Sequence, residues 1–106
     1  MFKVNYTTPA EEDLLSILEY ISSILKSSVA AENLLDEIEE KTELLAENPF
    51  IFPLAKDEYI NKRGIRHIPV KNYFVFYTIE EDKKIVSIIR IMYARRDWIN
   101  LLRNEL

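Results

Sequence analysis

The 106-residue chain has no cysteine, one histidine, one glycine and four prolines. Without cysteine there is no disulfide staple, thiol nucleophile or thiolate metal site, and His67 alone does not make a His-rich zinc centre. A single glycine leaves no material for a Gly-rich phosphate loop, and no nucleophilic triad is evident, so neither a metal nor a cofactor is expected. No apolar run approaches the roughly 18 residues of a membrane span, and Met1-Phe2-Lys3-Val4-Asn5 lacks a signal-peptide core. A cytoplasmic protein without a membrane partner is expected. With 48% hydrophobic and 30% charged residues, the composition excludes collagen-like, low-complexity and largely disordered chains. The length fits one domain spanning 1–106.

Excess positive charge is also lacking, since the formal net charge is −4. A protein holding nucleic acid through bulk charge should be basic. The total conceals an asymmetry: residues 1–61 hold 4 Lys+Arg against 13 Asp+Glu, and residues 62–106 hold 10 against 5. A local basic surface for an anionic partner is one reading of the second part, and a mixed, solubilising surface is the other.

What is there reads as six elements. Phe2, Val4 and Tyr6 alternate with Lys3 and Asn5, the period of a short strand. Thr8, Pro9 and Glu11 match a capping box that opens a helix, and Leu14, Ile17, Leu18, Ile21 and Leu25 form its buried stripe. After the polar break Lys26-Ser27-Ser28, Ala31, Leu34, Leu35, Ile38, Thr42 and Leu45 repeat the helical period up to Asn48-Pro49. So short a break implies an antiparallel helical hairpin, with Glu32, Asp36, Glu39, Glu40, Glu43 and Glu47 facing solvent. Residues 49–63 read as a surface loop. Ile65–Val70, Tyr73–Ile79 and Ile85–Tyr93 are rich in β-branched and aromatic residues with hairpin-sized connections, hence an antiparallel meander with Pro69 at an edge or bulge. The tail from Arg95 to Leu106 can form a short helix through Trp98, Leu101 and Leu102. The order β-α-α-β-β-β implies an α+β domain with the helical hairpin on one face of a small antiparallel sheet.

The chemistry-bearing residues concentrate in the second half. Arg66, Lys71, Arg90 and several tyrosines on the open face of such a sheet would make a phosphate-binding or partner-binding surface. Arg95-Arg96-Asp97-Trp98 adds two guanidiniums, a carboxylate and a large aromatic. Its structural reading is an Arg–Asp surface pair with Trp98 closing the core. Metal-free RNA cleavage needs a base, an acid and cations at the phosphate. Arg66, Arg90 and Arg95 could be the cations, with Tyr93 or Asp97 as the remaining candidates for proton transfer. His67 is adjacent to Arg66, but strand alternation points the two to opposite faces, and a lone strand histidine is more often a structural hydrogen-bonding residue.

These residues, taken together, suggest a family. Pro9-Ala10-Glu11-Glu12-Asp13-Leu14 with Ile17 and Tyr20-Ile21, the Leu45…Asn48-Pro49 helix end, Gly64-Ile65-Arg66, Asn72-Tyr73-Phe74-Val75-Phe76-Tyr77, Ile89-Arg90-Ile91 and Arg95-Arg96-Asp97-Trp98 resemble the RelE/ParE superfamily of toxins from type II toxin–antitoxin modules. The resemblance covers nearly the whole chain. It implies a toxin that arrests bacterial growth and is neutralised by a co-encoded antitoxin wrapping around it. An unprotected meander edge and exposed apolar positions such as Ile24 and Phe50 would suit strand addition and helix-in-groove contacts with that antitoxin. RelE-like members cut mRNA on the ribosome, and ParE-like members poison DNA gyrase without nuclease chemistry. Arg66 and Arg95 match basic residues that contact the scissile phosphate in the RelE-like branch. That branch usually has an arginine near Phe74 and a C-terminal tyrosine or histidine where this chain has Trp98 to Leu102. The pattern is closer to the ParE-like branch, although that branch normally has a histidine at Tyr93. The resemblance therefore implies gyrase binding through Arg66, Lys71, Arg90, Arg95, Arg96 and Trp98. The alternatives are a ribosome-dependent, metal-independent mRNA endonuclease using Arg66, Arg90, Arg95 and Tyr93, and a non-toxic interaction module.

Overall fold

Residues 1–105 are described by a computed structural model; Leu106, the end of the expected tail helix, lies outside the described residues. The chain runs β1 (Lys3–Tyr6), α1 (Thr8–Glu19), a π-helical turn (Tyr20–Ile24), α2 (Ser28–Glu47), α3 (Glu58–Lys62), β2 (Arg66–Val70), β3 (Tyr73–Glu80), β4 (Ile85–Tyr93) and α4 (Trp98–Glu105). The expected α+β architecture is present, with α1 and α2 on a four-stranded sheet of order β1-β4-β3-β2. The meander β2-β3-β4 is antiparallel, but β1 lies parallel to β4, which makes the sheet mixed. The long crossover through the helical hairpin and meander is what allows the parallel pairing.

Local chemistry sets the helix ends. The cap of α1 is Thr7, one residue before the expected Thr8: its hydroxyl accepts from Ala10 N at 3.3 Å, and Pro9 sits within the first turn. Glu11 then falls one position beyond the capping-box site. Ser27 caps α2 in the same way, accepting from Ala30 N at 3.2 Å. Between them the π turn closes with Leu25 N donating to Tyr20 O at 3.1 Å. This wider turn breaks the 3.6-residue phase, so Ile21 stays buried while Leu25, expected in the stripe, is 57% exposed. In the α2 stripe Ala31, Leu34, Ile38, Thr42 and Leu45 are buried as expected, Leu35 at its margin is half-buried, and the six acidic residues named above are exposed.

Residues 49–63 are more than a loop. Asp57 accepts from Ile60 N at 3.1 Å and caps α3, which buries Ile60. Upstream, Ala55 N donates to Ile65 O and His67 N to Pro53 O, so this segment covers the outer edge of β2, and Pro69 has no N–H to offer there. The meander edge expected to be unprotected is therefore covered at the N-terminal end of β2, and Pro69 is exposed beyond it. Ile24 and Phe50 are exposed, as expected.

The second face of the sheet is covered as well. Val75, Tyr77, Val86, Ile88 and Ile91 pack toward α1 and α2. Phe76 and Met92 point the other way and join Ala55, Ile60, Ile65 and Leu102, with Phe74 and Trp98 against them. The consecutive buried run Val75-Phe76-Tyr77 is the signature of a strand buried on both faces. The open basic face is thus not formed, because α3 and α4 occupy it.

Candidate partner-binding site

Arg66 and Arg90 do not meet. Arg66 pairs in register with Tyr77 and faces α2, whereas Arg90 pairs with Phe76 and faces α4. Each is held by its own surroundings. The Nη1 of Arg66 donates to Phe52 O at 2.6 Å, and its guanidinium lies 5.2 Å from the Phe50 ring centroid. Beside it, the buried Tyr77 hydroxyl donates to Pro49 O at 2.7 Å, and burial pushes its pKa up to about 12. Together these two side chains fasten the 49–52 segment, which presents Phe50 and Ile51 to solvent.

Arg90 has the opposite surroundings. β4 carries a bulge at Ile89, since Phe76 opposes Arg90 and Tyr77 opposes Ile88. β1 has already left the β4 edge there, and α1 takes its place through Asp13, whose carboxylate accepts from Ile91 N at 3.0 Å. The same carboxylate takes Arg90 Nε at 2.6 Å and Nη2 at 2.9 Å, a bidentate pair, and Arg90 Nη1 also donates to Glu105 of α4. The Asp13 hydrogen bonds raise the already high Arg90 pKa further. Arg90 therefore ties α1, β4 and α4 together.

The Arg95-Arg96-Asp97-Trp98 cluster divides its work. Asp97 is not paired with either arginine; its carboxylate accepts from the side-chain amide of Asn100 at 2.7 Å, at the start of α4. Trp98 packs on Phe74 and Phe76, with centroids 5.7 and 5.2 Å away, and so closes the core as expected. Arg95 and Arg96 are exposed, and no carboxylate among the described residues lies within salt-bridge distance of either. His67 does face away from Arg66, against Phe74 at 5.1 Å. It does not play the expected hydrogen-bonding role: Nδ1 is buried without a partner among the described residues, and burial lowers its pKa, with Lys56 adding to the effect.

A concave site exists elsewhere. A groove of 890 Å³ opens where α1 and the π turn pass the β2–β3 turn, and Lys71, Tyr93, Arg90 and Arg96 line it with Tyr20 and Tyr73. Tyr73 and Tyr93 stack edge to face at 5.6 Å. Burial raises the Tyr73 pKa, and the neighbouring Tyr93 and Tyr20 phenols raise it further. Lys71 stands at the turn in a left-handed conformation (φ 52) and pairs with Glu37 at 3.4 Å. Asp13, Tyr20 and Tyr73 were not singled out from the sequence as site residues. The legible signal was Tyr20, a large aromatic next to, and outside, the helix stripe. No positioned acid–base pair for proton transfer is evident in the groove among the described residues.

The family model for the ParE toxin of the type II toxin–antitoxin system parDE matches residues 4–98. The chain belongs to the ParE toxin family. No curated protein matches the sequence. Among solved structures, a chain of the chromosomal ParDE system of P. aeruginosa is similar at a TM-score of 0.70 and 18% identity, covering 90% of this chain and 98% of that one. The isolated RelE toxin of E. coli is similar at 0.61 and 15%, covering all of both chains. A chain of the RelBE2 complex of Mycobacterium tuberculosis is similar at 0.57 and 19%, covering 87% and 90%. At these identities the structures establish the shared RelE/ParE fold. In this ParE-type toxin Arg66 and Arg90 are hydrogen-bonded within the fold, and Arg95 and Arg96 are exposed.

Proposed function

We propose that this ParE-type toxin arrests bacterial growth by binding and poisoning DNA gyrase, without nuclease chemistry of its own, and that a cognate antitoxin neutralises it. The observation that carries this reading is the environment of Phe74. Where RNA cleavage would call for a cation, the half-buried Phe74 packs against the rings of His67, Phe76 and Trp98. An apolar cluster cannot stabilise charge developing on a phosphate. Arg95 and Arg96, exposed on the turn after β4, would meet carboxylates or phosphates of a gyrase–DNA complex. Arg66 and Arg90 support them indirectly, through the 49–52 segment and α4. The antitoxin contact falls on the helical hairpin, where Leu15, Tyr20, Ile24 and Val29 are exposed.

Expressing the toxin without its antitoxin tests this reading. Early DNA-damage signalling with translation continuing is the expected result. Immediate translation arrest, with mRNA cleaved on ribosomes, would instead establish the endonuclease reading, for which the candidates are Arg66, Arg90, Arg95 and Tyr93. Unimpeded growth would establish a non-toxic interaction module.

A further inference from the structure

On the side of the sheet away from the hairpin, one phenol gathers cations from two helices. Tyr59 of α3 is half-buried, and two guanidiniums lie on its ring: Arg63 at 4.7 Å from the centroid and Arg103, from α4, at 5.0 Å. Arg63 Nη2 also donates to the Tyr59 hydroxyl at 2.6 Å. A guanidinium held on an aromatic ring is oriented in advance and keeps N–H donors for a phosphate. Arg63, Arg103 and the exposed Lys56 just before α3 have no carboxylate within salt-bridge distance among the described residues. The acidic groups of the same helices are engaged: Glu58 pairs with Lys62 at 3.3 Å, Glu105 takes Arg90, and Asp57 caps α3.

The opposite side of the sheet has the opposite charge. Helix α2 carries seven acidic residues and one lysine, and of the seven only Glu37 is paired among the described residues, with Lys71. A chain of net charge −4 is thus electrically two-faced, and a polyanion turns α2 away and draws α3 and α4 toward itself. Aromatic packing narrows the choice of polyanion. Single strands are held on bare aromatic faces where bases stack. Here the Tyr59 ring is taken up by guanidiniums, and Phe74 and Trp98 pack on each other. Cations without a stacking platform suit the phosphate backbone of a duplex.

We propose that Lys56, Arg63 and Arg103, the two arginines set by Tyr59, form a contact for the phosphate backbone of duplex DNA that holds the toxin with α2 directed away from the duplex. The proposal rests on the gyrase reading in that a gyrase complex supplies the duplex, and the contact uses neither Arg95 and Arg96 nor the exposed apolar residues of the hairpin.

Fluorescence anisotropy of the full chain with a labelled DNA duplex of about 20 base pairs tests the proposal. At 50 mM salt a Kd of roughly 10⁻⁴ to 10⁻⁶ M is expected, with log K falling against log salt at a slope of about −2 or steeper. Replacing both Arg63 and Arg103 by alanine should weaken binding about tenfold and make the slope shallower by about 2, since two phosphate contacts are lost. The pair Lys56→Ala and Arg63→Ala should do the same, and serves if the loss of Arg103 disturbs α4. Glu39→Gln with Glu40→Gln on α2 should change affinity less than about twofold. The proposal is overturned if the parent chain does not bind the duplex, if affinity and slope are unchanged in both cation variants, or if a single-stranded RNA of the same length binds more tightly than the duplex. The gyrase reading fails by a different result, the absence of trapped gyrase–DNA breaks with the parent chain, whatever the anisotropy shows.

Discussion

On the hairpin face of the sheet, Val75, Tyr77, Ile88 and Ile91 meet two amphipathic helices that part near the β2–β3 turn and leave a tyrosine-lined groove. On the opposite face, Phe74, Phe76, Met92 and Trp98 close on one another under α4. Arginines follow the same division of labour. Arg66 and Arg90, rooted in strands, are spent on bracing, whereas Arg95 and Arg96, on the turn after β4, remain available. Of the basic residues in the second half of the chain, only Arg66 and Arg90 are half-buried, and the others are exposed.

The largest effect should come from opening the closed face. Phe76→Ala removes a fully buried ring and is expected to cost about 3–5 kcal/mol in denaturant unfolding. A cost below ~1 kcal/mol would mean that this face is not a packed core. Next, Arg90→Ala strands the mostly buried Asp13 carboxylate and frees α4, for an expected loss of about 2 kcal/mol and faster amide exchange in α4. Tyr77→Phe leaves Pro49 O without its donor and should cost about 1–2 kcal/mol while loosening the 49–52 segment.

The pH dependence separates the faces further. His67 is held neutral by burial, so its folded pKa lies below that of the unfolded chain, and the unfolded state binds more protons in the window between the two. Its contribution is fully present above the unfolded value of about 6.5 and is lost as pH falls from there toward the folded pKa. A His67→Phe variant should show a flatter stability profile over that acidic window, measured by thermal unfolding. The smallest structural effect is expected for Arg95→Ala and Arg96→Ala, within about 0.5 kcal/mol of the parent. Growth arrest should nevertheless be lost in both.

Much of the fold was legible because it rests on periodicity. The α2 stripe, the three meander strands and the face of α4 follow from apolar spacing alone. The misses have physical causes. Thr7 and Thr8 are equally competent caps, and only the chain direction leaving β1 chooses between them. One π turn discards Leu25 without any residue type that announces it. Asp57 followed by Ile60 is a cap signal too short to outweigh the prolines around it. The covered second face is hard to see in the sequence because Val75-Phe76-Tyr77 satisfies strand propensity whether one face or both are buried, although three consecutive apolar residues favour burial from both sides. Of the site, the basic and aromatic residue types were legible, but their partners were not: nothing local to Arg90 points to Asp13, 77 positions away.

The most direct measurement is a side-by-side assay with the purified toxin. Supercoiled plasmid with gyrase and ATP goes in one tube, and programmed ribosomes with mRNA in the other. The account predicts toxin-dependent, covalently trapped gyrase–DNA breaks, abolished by Arg95→Ala, together with intact mRNA. Site-specific cleavage of the ribosome-bound mRNA that disappears in Arg66→Ala and Arg95→Ala, with gyrase unaffected, would contradict it.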